Sequence, residues 1–362
     1  MTQTRRAGRT RCKPVIITGG AGFLGSNLAH RLLRMETPVL IIDSLARPGV
    51  ERNLDELKRL KSRHLSIHIA DIRDESAAQA VGEASAVVHL AAQVAVTASI
   101  SDPITDFEVN TVGTLRMLEA ARRCSDPPTL LLASTNKVYG DLSNLSLVRA
   151  RTAYLPFDAA IRTFGIGETW PLSFRTPYGC SKGAADQYVL DYARTLGLPA
   201  AVFRMSCIYG PRQLGTEDQG WVAHFLNRGL EEQPITLFGD GKQVRDILFV
   251  DDAVETYARA LAAPQAVTGR AFNLGGGPAN AVSLNEVLSF IEGVIGRPLT
   301  IMHADWRPGD QLYYVSDTRS IRNALKLPAP TPWKSGVAKL ARWLVEQGPA
   351  SRHEPVAVGG AA

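Results

Sequence analysis

Val15-Ile16-Ile17-Thr18-Gly19-Gly20-Ala21-Gly22-Phe23-Leu24-Gly25 is the stretch that decides the fold. Val15 to Thr18 is a short β-branched run, which predicts a strand. Gly19, Gly22 and Gly25 follow at three-residue spacing, and from Ala21 to Arg34 the apolar residues recur at helical period. A strand that turns through glycines into a helix brings bare backbone N–H groups to the positive end of a helix, an arrangement suited to a pyrophosphate. Glycine turns are common, so the weight of the motif comes from what surrounds it.

Outward from that stretch, short apolar runs alternate with amphipathic ones. Strands are predicted at Pro38 to Ile42, Leu65 to Ala70, Ala86 to His89, Thr129 to Ala133 and Ala200 to Met205, and long helices at Asp106 to Arg123 and Tyr178 to Leu196. This is the α/β pattern of a Rossmann-type, doubly wound parallel sheet. Residues 14–212 form its dinucleotide-binding domain, with an insertion at 141–177 too long for an ordinary connection and therefore expected to be a functional lid. The order then becomes irregular, which predicts a smaller C-terminal substrate-binding domain over 213–346, interleaved with the first. Residues 1–13 and 347–362 have the composition of a basic disordered tail and a flexible tail.

The formal charge of +5 does not signal a nucleic-acid partner. Arg5, Arg6, Arg9, Arg11 and Lys13 account for all of it, so the folded part is neutral. No apolar run reaches the roughly 20 residues of a bilayer span, and no signal peptide is expected, so the protein is read as cytoplasmic with no membrane partner. Cys12, Cys124, Cys180 and Cys207 are scattered without metal or redox spacing, and His64 and His68 have no acidic or thiol neighbour at ligand spacing; no metal site is expected.

Two constellations carry chemistry. Asp43 ends the second strand, where a carboxylate accepts hydrogen bonds from a ribose 2′-hydroxyl and repels a 2′-phosphate. NAD is therefore the expected cofactor, with NADP left open by Arg47 close behind. Asp71 and Ile72 fall after the third strand, at the expected adenine. Tyr178 and Lys182 are four apart and so share a helix face. An ammonium beside a phenol favours the phenolate, which can then take a proton from a hydroxyl group. Ser134-Thr135-Asn136-Lys137 ends the fifth strand at the carboxyl edge of the sheet, where open α/β folds bind ligands.

Thr18 to Gly25, His89-Leu90-Ala91-Ala92-Gln93, Asn110-Thr111-Val112-Gly113-Thr114, Tyr178-x-x-x-Lys182 and Gln243-Val244-Arg245-Asp246 together resemble the extended short-chain dehydrogenases that act on nucleotide sugars. The resemblance implies Tyr178 as base, Lys182 as the residue that binds the nicotinamide ribose and tunes Tyr178, and Thr135 as the partner of the reacting hydroxyl. It implies cofactor contacts from Gly19, Gly22, Phe23, Leu24, Gly25, Asp43, Asp71, Ile72, Leu90, Ala91, Ala92, Asn110, Tyr178 and Lys182. The substrate, a nucleotide-linked sugar, would meet Gln93, Ser99, Asn136, Lys137, Met205, Arg245 and Arg307. Arg245 would hold its diphosphate, unless it is a surface ion-pair partner of Asp246. Family members are usually homodimers or homotetramers joined through helices like 106–123 and 178–196.

Ser134 to Leu142, Thr176 to Tyr188 and Asp218-Gln219-Gly220-Trp221-Val222 are similar to the branch of that family that epimerises CDP-paratose and CDP-tyvelose at C2. CDP-linked sugars are accordingly favoured over UDP-linked ones. Where that branch has Arg-His-Ser-Ser, this chain has Arg204-Met205-Ser206-Cys207, which removes a donor and an acceptor beside the expected ligand. A 4-epimerase of UDP-sugars would use the same Thr, Tyr and Lys. The 4,6-dehydratases resemble one another in placing Asp-Glu after the active-site Thr, and here those positions are Asn136 and Lys137, which disfavours elimination unless Glu168 reaches in from the insertion. A dinucleotide sensor without turnover would be expected to lack Tyr178 or Lys182.

Overall fold

The computed structural model describes residues 13–307 and 309–348. Of the expected tails only Lys13, Gln347 and Gly348 lie within them.

Seven parallel strands form the central sheet: β1 (Val15–Thr18), β2 (Val39–Asp43), β3 (Leu65–Ile69), β4 (Ala86–His89), β5 (Thr129–Thr135), β6 (Ala200–Met205) and β7 (Ala271–Leu274), in the order β7-β6-β5-β4-β1-β2-β3. Strands β1, β2, β5 and β6 feed both faces. Ile17, Ile41, Leu131 and Phe203 enter one core with helix α1 (Phe23–Arg34), while Ile16, Ile42, Leu130 and Val202 enter the other with the long helix Thr176–Thr195. That period-two division is why the strands read as unbroken apolar runs.

The helix expected over 106–123 is not one helix. Pro103–Phe107 is followed by a π-helical turn, Glu108–Val112, and then by an α-helix, Gly113–Arg122. The extra residue in the turn coincides with Asn110 and Thr111, whose side chains bond across to the 176–195 helix; such turns arise where a side-chain requirement outweighs regular pairing.

The 141–177 segment is not a bare loop. It carries an antiparallel pair, Leu147–Arg149 with Tyr154–Pro156, and the helix Ala159–Phe164. Leu142, Leu145 and Ile166 share a core with Val244, Tyr313, Tyr314 and Val315 from the C-terminal half. There, Val244–Phe249 is flanked by Ala281–Ser283, Tyr313–Tyr314 and Cys207–Tyr209, with helices Trp221–Leu230, Leu284–Ile295 and Trp333–Gln347 packed around it. Among the described residues no helix is long and apolar enough to cross a membrane.

Candidate active site

The glycine loop lies flush against the next crossover. Gly19 has φ +67, and a Cβ there would come within 2.8 Å of the Ala91 nitrogen; one on Gly25 would lie 2.4 Å from the Gly19 carbonyl oxygen. Gly22 is the N-cap of α1, which has neither a side-chain cap nor an acid in its first turn. Asp43 is fixed by the Ala21 and Leu45 N–H groups, both donating at 2.9 Å. A backbone cradle, an uncapped helix end and an oriented carboxylate at the end of β2 fit a dinucleotide.

Beneath the cradle runs a buried relay. Ala91 N–H donates to Thr18 Oγ1 at 3.2 Å, the Thr18 hydroxyl meets His89 Nδ1 at 2.7 Å, His89 Nε2 meets Thr114 Oγ1 at 3.1 Å, and the Thr114 hydroxyl donates to the Asn110 carbonyl at 2.6 Å. These roles require a neutral imidazole protonated on Nε2. Burial and the Lys182 charge push His89 down to about 3. Ile72 is buried and packs under Gly113. Asp71 is gripped by Arg73, which holds its carboxyl below the usual range and itself bonds Glu108.

At the carboxyl end of β5, Thr135 Oγ1 accepts from Lys137 N–H at 3.2 Å. The expected depression of the phenol is not what the structure shows. Burial pushes Tyr178 up to about 12, the Thr135 hydroxyl draws it back, and the Asp106 charge adds to the rise. Lys182 donates to the Ala133 carbonyl at 2.6 Å, and burial lowers it to about 8 against the pull of Asp186 and Asp106. Asp106, unremarked in the sequence, is thus a buried carboxylate that acts on both. It accepts from Asn110 Nδ2 at 3.1 Å and from Ser181 Oγ. Its place four residues before Asn110 was the available signal.

Asn110 also bonds Gln93 O, Gln93 N and Ser181 Oγ, so its amide holds the loop after β4 against the tyrosine helix. Gln93 Nε2 donates to Ala95 O at 2.9 Å, while its buried Oε1 has no hydrogen-bond partner. Ser99, expected at the substrate, is fully buried, donates to Val96 O and accepts the Tyr178 N–H at 3.1 Å. It sets the start of the helix that carries Tyr178. Met205 is the other substrate candidate on this edge. It pairs in register with Thr135, but its side chain joins the α1-side core and its sulfur meets the Tyr257 hydroxyl at 3.7 Å, because alternation along β6 puts it on the face of Phe203.

A cationic corner faces the same end of the sheet. Asp310 Oδ1 accepts from Arg245 Nη2 at 2.7 Å and lies 3.4 Å from Lys137 Nζ, and these cations hold its carboxyl down to about 2 although burial opposes it. Arg245 does not pair with Asp246: the strand sends the two to opposite faces, and Asp246 is buried on Ser206, Ser316 and Gly277. Asn136 lies 3.4 Å from Gln311 Oε1, whose amide donates to Gly140 O. Arg307 lies over the Phe238 ring at 3.9 Å and beside Glu217 and Asp218, and its carbonyl accepts the Asp310 N–H at 3.2 Å. Glu168 accepts the Asn273 N–H at 2.9 Å on the outer edge of β7, a task that occupies it.

A parallel sheet with a backbone cradle for a dinucleotide, and a Thr, Tyr and Lys gathered where the cradle meets a cationic corner, defines an oxidoreductive enzyme acting on a hydroxyl of a phosphorylated ligand. Residues 15–275 match the family described as "NAD dependent epimerase/dehydratase family". The CDP-paratose 2-epimerase of Salmonella typhi is 40% identical over 337 residues, covering 91% of this chain and 98% of that protein. The dTDP-glucose 4,6-dehydratase 1 of Escherichia coli strain K12 is 30% identical over 349 residues, covering 91% and 92%. Among solved structures, the UDP-glucose 4-epimerase of Thermus thermophilus in complex with NAD superposes with a TM-score of 0.74 at 30% identity, covering 91% of this chain and 98% of that one. The chain belongs to the NAD-dependent epimerase/dehydratase family. It is a nucleotide-sugar enzyme, and its cofactor is NAD.

Proposed function

We propose that this chain epimerises a CDP-linked deoxyhexose at C2, the CDP-paratose/CDP-tyvelose reaction, through a transient keto sugar. The observation that carries it is that Lys182, donating to the Ala133 carbonyl at 2.6 Å, ties the helix of Tyr178 to the end of β5 that carries Thr135, with an amide and an ammonium at 136 and 137 where elimination would need an acid and a base. The 40% identity to the Salmonella typhi enzyme supports the choice of CDP and of C2.

In this reading Gly19, Gly22, Phe23, Leu24 and Gly25 cradle the pyrophosphate, Asp43 holds the adenosine ribose, Asp71 and Ile72 flank the adenine, and Leu90, Ala91 and Ala92 line the crossing to the nicotinamide. Bound NAD supplies a hydride acceptor that later gives the same hydride back. Thr135 holds the reacting hydroxyl. Tyr178 takes its proton as the carbinol becomes a ketone, and returns that proton to the ketone oxygen once the sugar has turned its other face. Lys182 supports the phenolate against its burial. Gln93 offers an unpaired buried oxygen to a sugar hydroxyl, and Arg245 and Lys137 exchange Asp310 for the diphosphate. Exposed Ile100, Ile104 and Phe107 on the 96–107 stretch and Tyr188 on the tyrosine helix support a second copy docking there, in a cytoplasmic homodimer or homotetramer.

Incubation with CDP-, UDP- and GDP-hexoses followed by proton NMR tests this. An isomer of equal mass from the CDP sugar is expected, and a product lighter by water sinks the reading. Tyr178→Phe should lower kcat about a thousandfold.

A further inference from the structure

Residues 211–219 leave the Cys207–Tyr209 strand and run back across the first strand-and-helix unit. Two buried amides tie them to the glycine loop. Asn27 Nδ2 donates to Phe23 O at 2.8 Å and to Pro211 O at 3.0 Å, and Asn53 Nδ2 donates to Ala21 O at 3.1 Å and to Arg212 O at 3.2 Å. Arg212 answers with bonds to Asn27 Oδ1 at 3.0 Å and Glu56 at 2.8 Å. Leu214 packs on the α1-side core, and a Cβ on Gly49 would reach it at 3.1 Å. Farther along, Arg47, four residues after Asp43, donates through Nη2 to Leu214 O at 2.8 Å and through Nη1 to Gln219 Oε1. Phe23, Arg47, Val50, Gln213, Leu214 and Gln219 enclose a small cavity beside the cradle.

We propose that residues 211–219 are a cofactor-retaining strap, and that Arg47, by gripping the Leu214 carbonyl and Gln219, is its latch. Arg47 therefore keeps NAD in and does not read a 2′-phosphate. The inference rests on NAD lying at the glycine loop. Both ends of the Arg47 guanidinium are already committed, one to a carbonyl and one to an amide, so a 2′-phosphate would have to break the strap to reach it. A reaction that returns one hydride to the same sugar needs such retention, since losing the reduced cofactor midway strands the ketone. Asn27 and Asn53 hold the near end of the strap whether or not the latch is closed, so opening at Arg47 leaves the hinge in place.

Full-length protein loaded with NADH is chased with excess NAD, and the loss of bound-NADH fluorescence gives the release rate. Gln219→Ala should speed release about tenfold, the size of one charge-assisted hydrogen bond, and Arg47→Met, which also frees the Leu214 carbonyl, should speed it more. The double variant should be no faster than Arg47→Met alone, because both changes open one contact. Gln219→Ala alters only the strap, so it reports even where Arg47 variants fold poorly. Release within twofold of wild type in Gln219→Ala overturns the latch. So do Arg47 variants that change NADPH affinity while leaving NADH release unaltered. A wild-type protein that binds no NADH removes the cofactor reading itself, and the strap with it.

Discussion

The two ends of the ligand cleft are built from different materials. On the proposed reading the dinucleotide end is mainly backbone: N–H groups and glycines drawn from the span Thr18–Gly25, with the Asp43 carboxylate beside them. On the same proposed reading the sugar end is side chain: Asn136, Lys137, Arg245, Asp310 and Gln311 meet from positions up to 175 residues apart. Backbone recognition is local and demands little of the rest of the fold. Side-chain recognition exists only once distant elements have docked, and each substitution along the way can redirect it.

That contrast can be broken most sharply at Gly25. Gly25→Val should abolish NAD retention and lower activity at least about a hundredfold, since its side chain would begin 2.4 Å from a carbonyl oxygen that cannot move. Cofactor content after desalting is the measurement, and a fold intact by circular dichroism is expected. Arg245→Met should do the reverse, leaving NAD content unchanged while raising KM for the nucleotide sugar about 10- to 100-fold through loss of charge-assisted bonds. An equal effect on both ligands would mean that the two ends are not separate.

The floor of the cradle is titratable, which offers a third and smaller test. His89 has a folded value near 3, below its unfolded value of 6.5, so the unfolded chain binds the extra proton between them. Its contribution to stability is whole above 6.5 and is lost as pH falls towards 3, at up to about 1.4 kcal/mol per pH unit. Urea unfolding at pH 7 and pH 5 reads the slope, and His89→Gln should flatten it. The least effect is expected at a helix end that serves no ligand. Ser283 and Glu286 close a reciprocal capping box on Leu284–Ile295, the feature that α1 lacks. Ser283→Ala should cost about 1 kcal/mol in a thermal melt with no change in NAD content.

Legibility followed the same division. The succession of strands up to β6 along the chain, the glycine turn and the Tyr178–Lys182 spacing could be read because each depends on period and short separation. The π-turn at 108–112 could not, since it serves bonds from Asn110 and Thr111 to Ser181, some 70 residues on. For Ser99 and Met205 the resemblance implies substrate contacts, and only packing shows that Ser99 also accepts the Tyr178 N–H and that Met205 meets the Tyr257 hydroxyl. Asp310 and Gln311 carried no local pattern at all, and Arg245 was weighed against the adjacent Asp246 because adjacency was all the sequence offered.

β7 comes from residues 271–274 yet lies beside β6, which ends at Met205. During synthesis the ribosome must therefore finish about 70 further residues before the last strand of the sheet is complete, and until then β6 is a bare edge with unpaired N–H and C=O groups. The nascent chain passes through a sticky interval in the middle of its own translation, and a fragment cut between the two strands would be an aggregating half rather than a smaller enzyme.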